Sequence, residues 1–169
     1  MIYEPEGPYI FKNGQKQGKA VEILMFQDFF YLDRLYKKMG ENYRGFQGKN
    51  ELHKHLEWIM ARTREVKPIK LCRFCKERPI AYVSIRSSKS GTVISHHFAC
   101  CNNQTCKGKL TSESPGLSPQ LVPANLFSLR LRIFNKTWKR RQFLGLLRFI
   151  YGLEGKLTAQ KAFEFFKNA

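Results

Sequence analysis

Three observations predict an α+β protein built in four successive parts. β-type runs with hairpin turns occur near the start and in the middle of the chain. Helical apolar spacing flanks them, and cysteine pairs bracket the central hairpin. The expected parts are a hairpin-plus-helices module over 1–67 and a β-hairpin with four cysteines around Zn²⁺ over 68–110. A linker or surface loop over 111–124 and a basic helical segment over 125–169 follow.

Tyr9-Ile10-Phe11, the turn signal Asn13-Gly14 and then Gly18 read as a hairpin over Tyr9 to Lys19. From Ala20 the spacing becomes helical, with Val21, Leu24 and Met25 on one face. Asp28 is placed to cap a second helix carrying Phe29, Leu32, Leu35 and Tyr36, which should end before Gly40. Gly45 and Gly48 keep the next stretch irregular. Asn50 caps a third helix with Leu52, Leu56, Ile59 and Met60 inward, and Pro68 stops it. His53 and His55, two residues apart, cannot share one helix face and are read as surface residues.

In the middle, the β-type runs Ile80–Arg86 and Thr92–Phe98 flank the polar tip Ser87-Ser88-Lys89-Ser90-Gly91. Thr111 to Ala124 holds three Pro, three Ser and one Gly, the composition of a loop. Thr137 is positioned to cap a helix over Trp138–Leu153. Thr158 is positioned to cap a last helix with Ala162, Phe163 and Phe166 inward. No repeat recurs at a fixed period.

The 169 residues carry 30 Lys plus Arg against 13 Asp plus Glu, a net charge of +17 that favours a polyanionic partner. Residues 1–67 are net +3, 68–123 net +6 and 124–169 net +8, so the basic excess rises along the chain. At 43% hydrophobic, the chain can build a core. No run of 18 apolar residues suggests a spanning helix, and the acidic, turn-rich start lacks the features of a secretory signal. A cytoplasmic protein is expected, in which five Cys serve as metal ligands or buried thiols rather than disulfides.

Cys72-Arg73-Phe74-Cys75 forms one C-x2-C pair. Cys106 forms the second with Cys100 or with Cys101, at x5 or x4. Two such pairs joined by a hairpin can close a tetrahedron around Zn²⁺. The stretch Phe98-Ala99-Cys100-Cys101-Asn102-Asn103-Gln104-Thr105-Cys106 resembles the second knuckle of the C4 zinc ribbons at the C-terminal end of bacterial type I topoisomerases. Those run aromatic-x-Cys-Ser-Asn-Tyr-Pro-x-Cys. The resemblance implies a zinc ribbon with Cys72, Cys75, Cys100 and Cys106 as ligands, Cys101 standing where Ser is usual. Asn103-Gln104 departs from Tyr-Pro. It also implies a nucleic-acid role for basic and aromatic groups, which Lys89, Arg73, Arg86 and Lys107 suit.

Gly14-Gln15-Lys16-Gln17-Gly18-Lys19, then Val21-Glu22-Ile23-Leu24 and Asp28-Phe29-Phe30-Tyr31-Leu32-Asp33-Arg34-Leu35, resembles the small C-terminal domain of exonuclease X-type proteins. Asn13, Gln15, Gln17 and Arg34 depart from its pattern, whereas Lys16 and Lys19 keep the basic turn. That resemblance implies a module that works beside a nuclease without being one. The turn is no nucleotide loop, because Ala20 stands where a Ser or Thr should follow Lys19.

Catalysis has little to work with. His96 and His97 alternate on a strand, and only Glu77, Glu113, Glu154 and Glu164 follow residue 66. Near the end of the chain, Lys139-Arg140-Arg141 stands among apolar residues at helical spacing, the pattern of a packed helix presenting cations outward. A membrane-surface helix is the weaker reading of that pattern. The expectation is a non-catalytic nucleic-acid-binding zinc protein, with DNA as the partner, accessory to a nuclease or other nucleoprotein enzyme. Lys16, Lys19, Lys89, Lys139, Arg140 and Arg141 are its phosphate contacts. The alternative is a protein-binding adaptor or dimeric scaffold of a nucleoprotein complex, and a metal-dependent nuclease ranks last.

Overall fold

Two glycines in the left-handed region begin the first unit. Gly14 (φ +79°) and Gly18 (φ +76°) let the chain reverse between Phe11 and Lys19. The Phe11 amide donates to the Lys19 carbonyl (3.0 Å) and the Gly18 amide to the Phe11 carbonyl (2.9 Å). Ile10 and Ala20 form an antiparallel bridge. The computed structural model describes residues 3–42, 50–88, 91–93, 99–113, 120–133 and 140–169. They form two compact units, Met1–Val66 with Gly155–Ala169, and Lys67–Glu154.

The first unit continues with α1 (Val21–Gln27), α2 (Phe29–Asn42) and α3 (Glu51–Glu65), and is completed by α7 (Ala159–Lys167). Asn50 caps α3 by accepting from the His53 amide (2.8 Å), and Thr158 caps α7 by accepting from the Lys161 amide (3.2 Å). Asp28 sits between α1 and α2, and its carboxylate holds Lys16. α2 runs two residues beyond Gly40, past the expected end. α1 packs against α2 and α7, and α3 against the same two helices. Phe26 meets Phe166 at 5.5 Å between ring centroids, and Trp58 meets Phe163 at 5.6 Å. Phe163 and Phe166 are fully buried, each contributing roughly 1.5–3 kcal/mol. The final helix, expected to extend the basic C-terminal segment, therefore belongs to the N-terminal module's core.

His53 and His55 correct a second expectation, since both are buried. A helix packed on two sides has no single inward face, so neighbours two apart in sequence are both covered. His53 stands 5.8 Å from the Tyr36 ring, and His55 packs between Tyr9 and Trp58. His55 Nε2 lies 2.6 Å from Glu22 Oε1, and Glu22 is itself fully buried.

In the second unit, β1 (Tyr82–Ser88) is the central strand. It is antiparallel to β2 (Gly91–Val93), β3 (Ala99–Cys100) and β4 (Gln120–Pro123). Tyr82 and Val83 pair with both β3 and β4, so those strands flank β1 on opposite edges. Between them runs α4 (Gln104–Ser112), and α5 (Leu126–Ile133) and α6 (Arg140–Tyr151) follow. The expected loop over 111–124 thus ends in a strand and begins in the last turn of α4. Tyr151 ties α6 to β4's exit by donating to the Ala124 carbonyl (2.6 Å). Gly152 (φ +64°) ends α6 where a Cβ would meet Ile69 Cδ1 at 2.5 Å. Residues 137–139, including the expected cap Thr137, lie outside the described residues. Among the described residues no helix is long and apolar enough to cross a membrane.

Replacing Asn50 by Ala should cost about 1 kcal/mol. Glu22→Ala should cost more, about 3 kcal/mol, because it leaves buried His55 without its carboxylate. Urea denaturation of the two variants beside the parent measures both; a Glu22→Ala loss no larger than that of Asn50→Ala would contradict the weight given to the buried pair.

Candidate metal centre

The first cysteine pair sits in a tight knuckle made by backbone hydrogen bonds. The Cys72 amide donates to the Arg78 carbonyl (2.7 Å), the Lys76 amide to the Cys72 carbonyl (2.7 Å) and the Ile80 amide to the Lys70 carbonyl (2.9 Å). Leu71 and Pro79 form a bridge at its base. Lys76 adopts φ +59°, a left-handed residue immediately after Cys75. That turn aims the amides of Glu77 and Arg78 at the Cys75 sulfur, lowering its thiol to about 7. Burial raises the Cys72 thiol, but amides of Cys75, Cys101 and Phe74 outweigh it and leave the group lowered. Donors facing a sulfur stabilise its thiolate, the form that binds metal.

The second pair is assembled differently. Asn103 caps α4 by accepting from the Thr105 amide (2.8 Å), which places Cys106 in the helix's first turn. Cys101 is the first residue after β3, where the chain turns toward that helix. The Sγ atoms of Cys72, Cys75, Cys101 and Cys106 all lie within 4.8 Å of one another. Cys75 and Cys101 are 3.8 Å apart, and all five cysteines are free. A metal–sulfur distance of about 2.3 Å gives a tetrahedron edge of about 3.8 Å, so the spacing suits four thiolates around one ion and is too long for a disulfide.

Cys101, and not Cys100, joins this set. Cys100 is still inside β3, paired with Tyr82, and its carbonyl accepts from the Ala81 amide (2.9 Å). Successive strand residues point to opposite faces, so the residue that leaves the strand, Cys101, turns its sulfur to the cluster. Cys100 is fully buried, and burial, with Cys72 and Cys101 nearby, pushes its thiol up to about 11. It packs with Leu110 as a wall of the centre. Burial, then the neighbouring Cys101 and Cys72 sulfurs, push Cys106 up to about 12 without a metal to hold its thiolate. The x4 spacing together with an Asn one residue before a helical stretch was the available sequence signal for Cys101.

The arrangement is knuckle, hairpin and helix, rather than the two hairpin knuckles of the expected ribbon. Two cations brace it. Arg73 lies over the Phe74 ring at 4.5 Å and pairs with Glu113 just past α4. Lys107 lies over the Tyr82 ring at 4.4 Å and donates to Asn102 Oδ1 (2.8 Å).

The remaining candidate residues are dispersed. Lys16 is held by Asp28 at 2.5 Å and stands over the Tyr31 ring, whereas Lys19 is exposed at the end of the glycine turn. Lys89, Lys139, His96 and His97 lie outside the described residues. Arg140 and Arg141 open α6, with side chains outside the description.

Comparison with protein-family models, curated proteins and solved structures finds no match to this chain. The topoisomerase and exonuclease X likenesses rest on the residues quoted for them.

Cys101→Ser should release the metal, whereas Cys100→Ser should keep it; elemental analysis of the two purified proteins decides. Metal lost from Cys100→Ser but retained by Cys101→Ser would return Cys100 to the ligand set. Metal uptake must displace protons from Cys101 and Cys106, whose thiols are both raised. Affinity should therefore fall as pH falls, and loading at neutral pH should acidify a weakly buffered solution.

Proposed function

We propose that this chain is a non-catalytic nucleic-acid-binding protein whose second unit is stapled by a structural Zn²⁺ on Cys72, Cys75, Cys101 and Cys106. DNA is its partner. One observation carries the reading: Lys67–Glu154, the unit built on the four thiols, holds 16 Lys plus Arg against 3 Glu. The rest of the chain holds 14 against 10. A net charge of +13 concentrated in one unit suits a polyanion, because cations exchange condensed counterions for phosphate contacts. Four sulfurs close a tetrahedron without an open position, which supports a structural rather than a catalytic ion. Thiolate ligands persist in a reducing compartment, which fits the cytoplasm. The role is that of an accessory to a nuclease or another nucleoprotein enzyme. The nuclease reading has least support, since one of the unit's three carboxylates, Glu113, is engaged by Arg73.

A second reading, the protein-binding adaptor, is favoured by a different observation. Ile69, Leu71 and Phe149 are 64%, 53% and 36% exposed in the same unit, and Lys70 stands over the Phe149 ring. Apolar groups with a basic neighbour also suit an acidic protein surface.

Gel shifts of the full chain with duplex DNA, single-stranded DNA and RNA across a salt series separate these readings. Binding should weaken steeply with salt. Alanine at Lys139, Arg140 and Arg141 together should make the log–log slope shallower by about one unit per lost contact, on all sequences alike. Retained zinc and an unchanged melting transition are the controls. Unchanged affinity and slope would remove this cluster from the nucleic-acid face, and failure of the parent to bind any of the three would move the adaptor to first place. No cleavage should accompany binding with Mg²⁺ or Mn²⁺ present.

A further inference from the structure

The first unit contains an open cavity of about 630 Å³, lined by none of the proposed phosphate-contact residues. Its volume is that of a small-ligand site. Rings of Tyr3, Tyr9 and His55 line it: Tyr3 and His55 are 6.1 Å apart at 75°, Tyr9 and His55 5.6 Å apart at 46°. His55 is the fixed member. It is 1% exposed, with Nε2 held 2.6 Å from Glu22 Oε1 and Nδ1 3.3 Å from Tyr3 Oη. Glu22 Oε1 also accepts from the Tyr9 amide (3.4 Å), so one buried carboxylate sets the position of both the imidazole and the Tyr9 backbone.

Charge gives the cavity its selectivity. Glu4, Glu6 and Glu51 line it against one cation, Lys12. Among the described residues none of these three carboxylates is engaged in an ion pair. Glu51 lies close enough to both phenols that, after burial, its charge is the next cause raising Tyr3 and Tyr9. An anion would meet three like charges here. A hydrated metal ion would gain nothing from the ring faces. An organic cation gains from both, because ring quadrupoles and carboxylates attract the same partner.

We propose that this cavity binds an organic cation, an ammonium or guanidinium group, seated against the Tyr3 and Tyr9 rings and neutralised by Glu51. Glu22 and His55 act as positioning residues for the rings. The same chemistry is offered by a free polyamine and by a lysine or arginine side chain of a peptide. The site is independent of the zinc centre and of the nucleic-acid reading.

Isothermal titration of the full chain with spermidine, with a short single-arginine peptide and with the same peptide carrying citrulline tests the proposal. Saturable binding of spermidine or the arginine peptide, at least tenfold tighter than the citrulline peptide, is expected. Binding by spermidine alone assigns a free amine, and binding by the peptide alone assigns a side chain. Glu51→Gln, at an exposed position in the first turn of α3, should weaken binding about tenfold without moving the melting transition. Tyr9→Leu should weaken it similarly while Tyr9→Phe retains it, because the ring face persists. The proposal is overturned if neither cation binds saturably, if citrulline binds equally, or if Glu51→Gln binds as the parent does. Should Tyr9→Leu fail to fold, Glu51→Gln alone decides.

Discussion

Convergence of four sulfurs within 4.8 Å of one another is the constraint on which the second unit rests. Four thiolates that close repel one another, and four thiols leave polarisable atoms poorly paired in a buried space. An ion that neutralises them converts its binding energy into folding energy. The surrounding elements are short. β3 has two residues, β4 has four and α4 has nine, too little for strand pairing or helix propensity to hold each in place alone. The four cysteines come from a knuckle before β1, from the residue just after β3 and from the first turn of α4. An ion held by them would fix the ends of the elements that propensity leaves marginal, and the Arg73–Glu113 pair closes the same loop from outside.

What the sequence made legible follows the range of the forces involved. The caps at Asn50 and Thr158, the glycine turn and the first cysteine pair are local, set by a few adjacent residues, and were readable. Spacing left Cys100 and Cys101 both open, and the motif likeness chose Cys100 by alignment, whereas strand alternation and the Asn103 cap bring Cys101 to the cluster. The burial of His53 and His55 could not be read from α3 alone, since it needs helices on two sides, one of them more than ninety residues further on. β4 hides in Gln-Leu-Val-Pro, where two prolines nearby signal a loop; an edge strand tolerates them because its outer amides need no partner.

The charge map gains meaning once the units are known. Counted along the chain, the basic excess rises gradually. Counted by unit, the first holds 14 Lys plus Arg against 10 carboxylates, three of them gathered around the Tyr3–Tyr9 cavity, while the second is strongly basic. The two proposals therefore fall on different units of one polypeptide.

The helix at 159–167 carries a consequence for synthesis. Its Phe163 and Phe166 fill the core of a unit whose other helices were translated about a hundred residues earlier. As the chain emerges from the ribosome, the first module waits with an unfilled apolar face while all of Lys67–Glu154 is made. The cysteine-bearing unit is thus the first whose entire sequence becomes available, and the order of completion is the reverse of the order in which the two units begin. During that interval the N-terminal helices are the exposed, association-prone part of the molecule. Emergence of the 159–167 helix seals them.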